Sequence, residues 1–233
     1  MSQIPEIWLP KVRMKRIICH WTAGSYQPSD NDLDHYHILI DGKGKVHRGH
    51  HSIKQNHHKA HGGYAAHTYG LNTDSIGVAV CCMGGAQGKH DLGRYPLKKV
   101  QWETLARVVA ELCLAYDLEP TERQVLQHGD VHRVFGIDQW GKWDINYLPW
   151  SPRTLHDDVG HQFRDLVKSY LHGAEHSRDG VVIKVNGKPI QTGVIIDGVA
   201  MVPTRAIAEA LGAKVTWEAE SKSIHITSEN NES

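Results

Sequence analysis

Two stretches far apart in the chain constrain its fold more than anything between them. Gln127-His128-Gly129-Asp130 is followed, after a loop rich in Trp and Gly, by Lys142-Trp143-Asp144. A histidine, a lysine and several carboxylates in a polar loop are poor core-builders but good parts for a metal site that polarises a carbonyl. Such a loop needs a partner, and Ile17-Ile18-Cys19-His20-Trp21-Thr22 supplies one: a short β-branched apolar run that ends in a histidine and gives way to polar, Gly-containing sequence. A strand delivering one histidine at its end, and a distant loop delivering a second histidine and a carboxylate, make three ligands and leave a fourth position for water. Asp130, His132, Asp138 and Asp144 all compete for the third place. Strand alternation points Cys19 to the face opposite His20 and removes it from the set.

The rest of the chain reads as a scaffold for that meeting. Residues 1–14 carry Pro5 and Pro10 without a clear period and form an irregular arm. A first strand spans 15–20, and Gly24 to Asp34 is a polar loop with room for a helical turn. Tyr36 to Ile40 and Lys45 to Arg48, joined by Asp41-Gly42-Lys43-Gly44, form a hairpin. Residues 49–75 make a long connection rich in His and Gly, and Ile76 to Cys82 is an apolar run of strand length, suited to a central buried strand. From Pro96 to Tyr116, Val100, Leu105, Val108, Val109 and Leu112 recur at helical spacing. Val125-Leu126-Gln127 is then a short strand that brings His128 to the end of the sheet. Leu155 to Leu171 is a second amphipathic helix with Val159, Phe163, Leu166, Val167 and Tyr170 as its stripe. Strands alternating with helices predict an α/β domain with a central mixed β-sheet flanked by helices.

Composition narrows the class. Lys plus Arg and Asp plus Glu are equal at 26 each, so no strong field draws the protein to nucleic acid or to an anionic membrane surface. No stretch approaches the roughly 18 apolar residues of a membrane span, so no membrane insertion is expected. The 18 histidines are unusual, but the runs His50-His51, His57-His58 and His61 lie in a polar connection and read as solvated. Cys19, Cys81, Cys82 and Cys113 lack C-x-x-C spacing and read as small buried hydrophobes of a reducing compartment. The first residues carry no basic segment followed by an apolar run, and so no signal peptide.

At these residues the chain resembles the type 2 N-acetylmuramoyl-L-alanine amidases, a family of zinc amidases that includes phage lysins and the peptidoglycan recognition proteins. The likeness is carried, in family order, by the His20 strand, Tyr36-His37-Ile38-Leu39-Ile40-Asp41 with Gly44-Lys45-Val46, Ala66-His67, Asp74-Ser75-Ile76-Gly77-Val78, and the loop from His128 to Asp144. It implies one zinc ion held by His20, His128 and Asp144, and Lys142 as oxyanion partner in a Lys-x-Asp pattern. Tyr36 is implied as proton partner, because Ala79 stands where some relatives carry a Glu, and His67 as a substrate-facing residue. It also implies hydrolysis of the amide between N-acetylmuramic acid and L-alanine in bacterial peptidoglycan. The rivals are a binding protein without activity and another zinc peptidase of the wall, although no H-E-x-x-H is present. A wall-degrading enzyme without a signal is expected to be made in the host bacterial cytoplasm and to reach the wall through a phage-type release.

Domain organisation follows from a change of composition. Residues 1–171 are expected to be the catalytic domain, the polar segment 172–180 a linker, and 181–233 a small α+β domain. In that domain, Asn186-Gly187 and Asp197-Gly198 are hairpin turns, Thr204 suits the N-cap of a helix that runs to Leu211 and is stopped by Gly212, and Lys214 to Trp217 and Ser223 to Thr227 are strands. Val202-Pro203-Thr204-Arg205 and Leu211-Gly212-Ala213-Lys214-Val215-Thr216-Trp217 resemble the small domain at the N-terminus of copper amine oxidases. His225 is its single histidine, so no metal is expected there; a cell-wall-binding role is expected, with a folding or dimerisation unit as the alternative.

Overall fold

A computed structural model describes residues 2–57, 63–178, 181–196, 199–218 and 220–228. The chain divides into two units, Met1–Leu171 and His172–Ser233. In the first, β1 (Arg16–Trp21), β2 (Ile38–Ile40), β3 (Val46–Arg48), β4 (Ser75–Val80) and β5 (Val125–Gln127) form one sheet in the order β3-β2-β4-β1-β5. Strands β2, β4, β1 and β5 run parallel, and only β3 is antiparallel, through its hairpin with β2. The sheet is therefore mixed, as expected, with the Ile76 run at its centre.

Alternation along β1 assigns its two faces. Ile17 and Cys19 join the larger core beneath helix α2 (Lys99–Tyr116), while Ile18 packs with Leu71, Leu126 and Val131 on the other face, beside helix α3 (Val131–Phe135). His20 shares the face of Ile18. On α2, Leu105, Val108, Val109 and Leu112 are completely buried, each contributing roughly 1.5–3 kcal/mol relative to exposure. Val100 departs from the expected stripe: one residue into the helix it faces outward, 42% exposed, and Trp102 takes the inward place. Trp102 meets Phe163 of helix α4 (His156–Arg178) with ring centroids 4.7 Å apart. Helix α1 (Asp30–His35) is the helical turn for which the polar loop has room, and Ser29 and Asp32 close a capping box at its start.

In the second unit β6 (Val181–Val185), β7 (Lys188–Ile196) and β8 (Val199–Met201) form an antiparallel sheet, and β9 (Ala213–Glu218) pairs with β10 (Ser223–Ser228). Asn186 and Gly187 have φ of 51° and 77°, the type I′ turn their sequence calls for. Helix α4 continues through the polar segment expected as a linker, as far as Arg178; one interior Gly costs only about 1 kcal/mol against helix-compatible neighbours. One expectation is corrected. Thr204 does not cap helix α5 (Thr204–Ala210): Pro203 occupies the N-cap and no side chain bonds the first turn, so Thr204 becomes its first helical residue. The Asp197-Gly198 turn, His58 and His61 lie outside the described residues. No described helix is long and apolar enough to cross a membrane.

Candidate metal centre

Parallel pairing brings the two distant stretches together. Cys19 of β1 is in register with Gln127 of β5, so the next residue of each chain, His20 and His128, emerges at the carboxyl end of the sheet, where open α/β sheets place their sites. The loop returning from α3 brings Asp144 alongside, its carbonyl accepting from the Gly129 amide at 2.6 Å. Gly129 is required here: a Cβ would lie 2.1 Å from the Asn146 amide nitrogen. Trp143 locks the loop to the sheet by an edge contact with Trp21, with centroids 4.6 Å apart.

The outcome is a buried triangle. His20 Nδ1 lies 3.1 Å from His128 Nδ1 and 3.1 Å from Asp144 Oδ2, and His128 Nδ1 lies 3.2 Å from the same carboxylate oxygen. Among the described residues, these three form the group of side chains that can hold a metal ion. The rivals for third ligand are placed elsewhere. Asp138 is exposed and accepts from the Trp140 amide at 2.9 Å, Asp130 faces Arg133 at 3.4 Å, and His132 is exposed.

Charges in the triangle fit a cation. Burial drives His20 down to about 4 against the pull of Asp144, so it is neutral at physiological pH and can offer a lone pair. Burial also acts on Asp144 to raise it and on His128 to lower it. The hydrogen bonds between them prevail, so Asp144 stays ionised well below the usual range and His128 is raised. A divalent cation bound by these three side chains would compete with a proton for the His128 lone pair.

Remote hydrogen bonds fix which ring nitrogens face inward. Gln139, buried and not anticipated from the sequence, places its Nε2 at 3.1 Å from the Tyr69 carbonyl and 3.4 Å from that of Ile137. Carbonyls only accept, so the amide orientation is set, and Oε1 must accept from His128 Nε2–H at 2.9 Å. That leaves His128 Nδ1 for the metal. His67 does the same for His20: its Nε2 faces the Ser75 carbonyl, long at 3.5 Å, and its Nδ1 accepts from His20 Nε2–H at 3.2 Å, with Thr68 Oγ1 at 2.9 Å. His67 is buried, and a Cβ on Gly77 would lie 2.5 Å from its ring. The geometry makes it a partner of a ligand, and it also lines the cleft over the triangle.

Tyr36 and Lys142 both line a cleft of about 490 Å³ over the triangle. The Tyr36 ring centroid is 5.1 Å from that of His20. Burial, and next the charge of Asp144, raise the Tyr36 hydroxyl far above its ordinary value, so it holds its proton. Lys142 is exposed at the cleft's edge.

An α/β domain thus carries, at the carboxyl end of a mixed sheet, a His-His-carboxylate triangle of a kind that can bind a metal ion. The family model "N-acetylmuramoyl-L-alanine amidase" matches residues 10–144, more than half of the chain, and the chain belongs to that family. The "copper amine oxidase N-terminal domain" model matches residues 184–233. No curated protein matches the chain significantly. Among solved structures it is similar to the amidase LysC of Clostridium intestinale (18% identity, 51% of this chain and 72% of that one, TM-score 0.35). It is also similar to the Ph2119 endolysin of a Thermus scotoductus bacteriophage (17%, 57% and 84%, 0.35) and to the Drosophila peptidoglycan recognition protein SA (15%, 68% and 90%, 0.39).

Proposed function

We propose that this protein hydrolyses the amide between N-acetylmuramic acid and L-alanine of bacterial peptidoglycan, with one zinc ion held by His20, His128 and Asp144. The observation that carries the reading is the triangle itself: three ligand atoms within 3.2 Å of one another, with a remote partner fixing each imidazole. Zinc in such a site supplies a Lewis acid that lowers the pKa of a water to about 7 and polarises the scissile carbonyl. Two neutral imidazoles and one carboxylate suit that ion.

The chain's own residues supply the rest. Tyr36 keeps its proton in its half-buried place beside His20, so it acts as a hydrogen-bond donor toward charge developing at the reacting carbonyl or the leaving nitrogen, and not as a base. Lys142 adds a positive charge at the cleft's edge for the tetrahedral oxyanion. Trp21 and Trp143 line the cleft with their paired rings. We assign residues 181–233 to holding the enzyme on the wall polymer. Where repeated sites are offered, a second weak binder raises local concentration without altering the chemistry.

The test is incubation of the zinc-loaded protein with a soluble muropeptide and mass analysis of the products. Separate glycan and intact stem peptide, lost with a chelator and restored by zinc, are expected. Peptide cleaved within the stem, or undiminished cleavage by protein shown to be metal-free, would overturn the reading.

A further inference from the structure

The cleft has an outer lip that the chemistry above leaves unused. Tyr69 and Trp140 line it, their ring centroids 4.7 Å apart and their planes inclined by 59°, and they are 64% and 68% exposed. Two large aromatic faces turned to water beside a site are costly unless something covers them. Their placement is built in. Trp140 has φ +48°, a conformation that β-carbon-bearing residues seldom take, and Asp138 Oδ1 fixes its amide. Tyr69 is fixed through its carbonyl by Gln139 Nε2, whose other end bonds His128. One glutamine side chain thus spans from the lip to the metal triangle.

We propose that Tyr69 and Trp140 form a stacking platform for an N-acetylated pyranose ring on the sugar side of the scissile amide. This rests on the amidase reading, in which the bond lies between a sugar and a peptide. A pyranose presents one flat face of C–H groups with its polar groups at the rim, which matches an uncharged aromatic corner. A stem peptide has no such face, and its carboxylates ask for cations that neither ring provides. With the sugar on this lip, the amide reaches inward over the distance of one side chain to His128.

The probe is the tetramer of N-acetylglucosamine, which has the ring and no scissile amide, titrated into the ¹⁵N-labelled full chain. The Trp140 indole N–H resonance is expected to move on binding. Trp140→Ala and Tyr69→Ala should each weaken binding at least about tenfold, Trp140→Phe should restore most of it, and zinc content should not change. On a soluble muropeptide the two alanine variants should raise KM by a similar factor while kcat falls much less. Failure of the tetramer to bind the unaltered protein, or equal binding to Trp140→Ala, overturns the platform while leaving cleavage of muropeptide intact. Loss of affinity for a free tripeptide stem in the same variants, with the tetramer unaffected, would assign the lip to the peptide. Tetramer binding without any muropeptide cleavage would retain the platform and sink the amidase reading.

Discussion

In residues 1–171 the sheet is covered on both faces, and the imidazoles of the site are buried against partners, His128 on Gln139 and His20 on His67. In residues 172–233, Ala208 and Val215 are the buried hydrophobics among the described side chains, while Trp217, Ile224 and Ile226 are each more than half exposed. Cross-strand register stacks Ile224 on Trp217 and Ile226 on Val215, so these four share one face of the β9–β10 pair. The difference follows from size: a short unit buries little of its surface, whereas the larger one can enclose a preorganised polar site. Chemistry that needs ring nitrogens fixed to a few tenths of an ångström belongs in the first unit. Adhesion to a repetitive polymer asks only for exposed surface, and the second unit has it.

The largest expected effect tests whether the triangle is the centre of the first unit. Asp144→Ala should lose zinc, measured by elemental analysis after dialysis, and lower the turnover of soluble muropeptide by at least about 1000-fold. Asp138→Ala should keep its zinc, because Asp138 serves the Trp140 turn. Zinc retained by Asp144→Ala and lost by Asp138→Ala would move the third ligand and undo the geometric assignment.

Next come the two residues proposed to act on charge in the transition state. Tyr36→Phe and Lys142→Ala should each keep zinc and stability while losing on the order of 100-fold in kcat. Rates near normal in both would leave the reaction to the metal alone.

Much of the first unit was legible because its signals are local and repeated. The β-branched run before His20, the helical spacing through Leu112 and the apolar stripe on Val159, Phe163 and Val167 all point to one architecture. The remote partners were not legible. Gln139 is one polar residue in a loop of polar residues, and only the carbonyls of Tyr69 and Ile137, distant in sequence or hidden in the backbone, decide which way its amide turns. His67 carries a histidine's usual ambiguity, and its burial against Gly77 is a tertiary fact. The capping box at Ser29 and Asp32 was available in the sequence, as a Ser three residues before an acidic residue. The continuation of α4 past Leu171 was obscured by Gly173, whose modest cost in a long helix does not stop it.

That lesson gives a test of intermediate size. Gln139→Leu keeps the volume near His128 but removes the acceptor that fixes its ring. Zinc affinity, measured by competition with a chelator, should fall about 10- to 100-fold, the usual cost of losing such a partner. Gln139→Glu should retain affinity, since a carboxylate also accepts from Nε2–H. Equal affinity in Gln139→Leu would show that packing alone orients His128.

The smallest expected effect is on the second unit's share in the chemistry. A chain ending at Arg178 preserves the whole of α4, including Phe163 and Val167, which belong to the core of the first unit. If the two units divide the work as proposed, the shortened chain should bind zinc and cleave soluble muropeptide within about twofold of the full chain, while its retention on sedimented walls drops severalfold through lost multivalency. The isolated second unit should sediment with walls, and Trp217→Ala in the full chain should weaken retention without altering turnover of the soluble substrate. A shortened chain that folds and holds zinc yet fails on the small substrate would mean that the exposed face of the second unit completes the site, and the contrast between an enclosed reactive unit and an adhesive one would give way to a single shared centre.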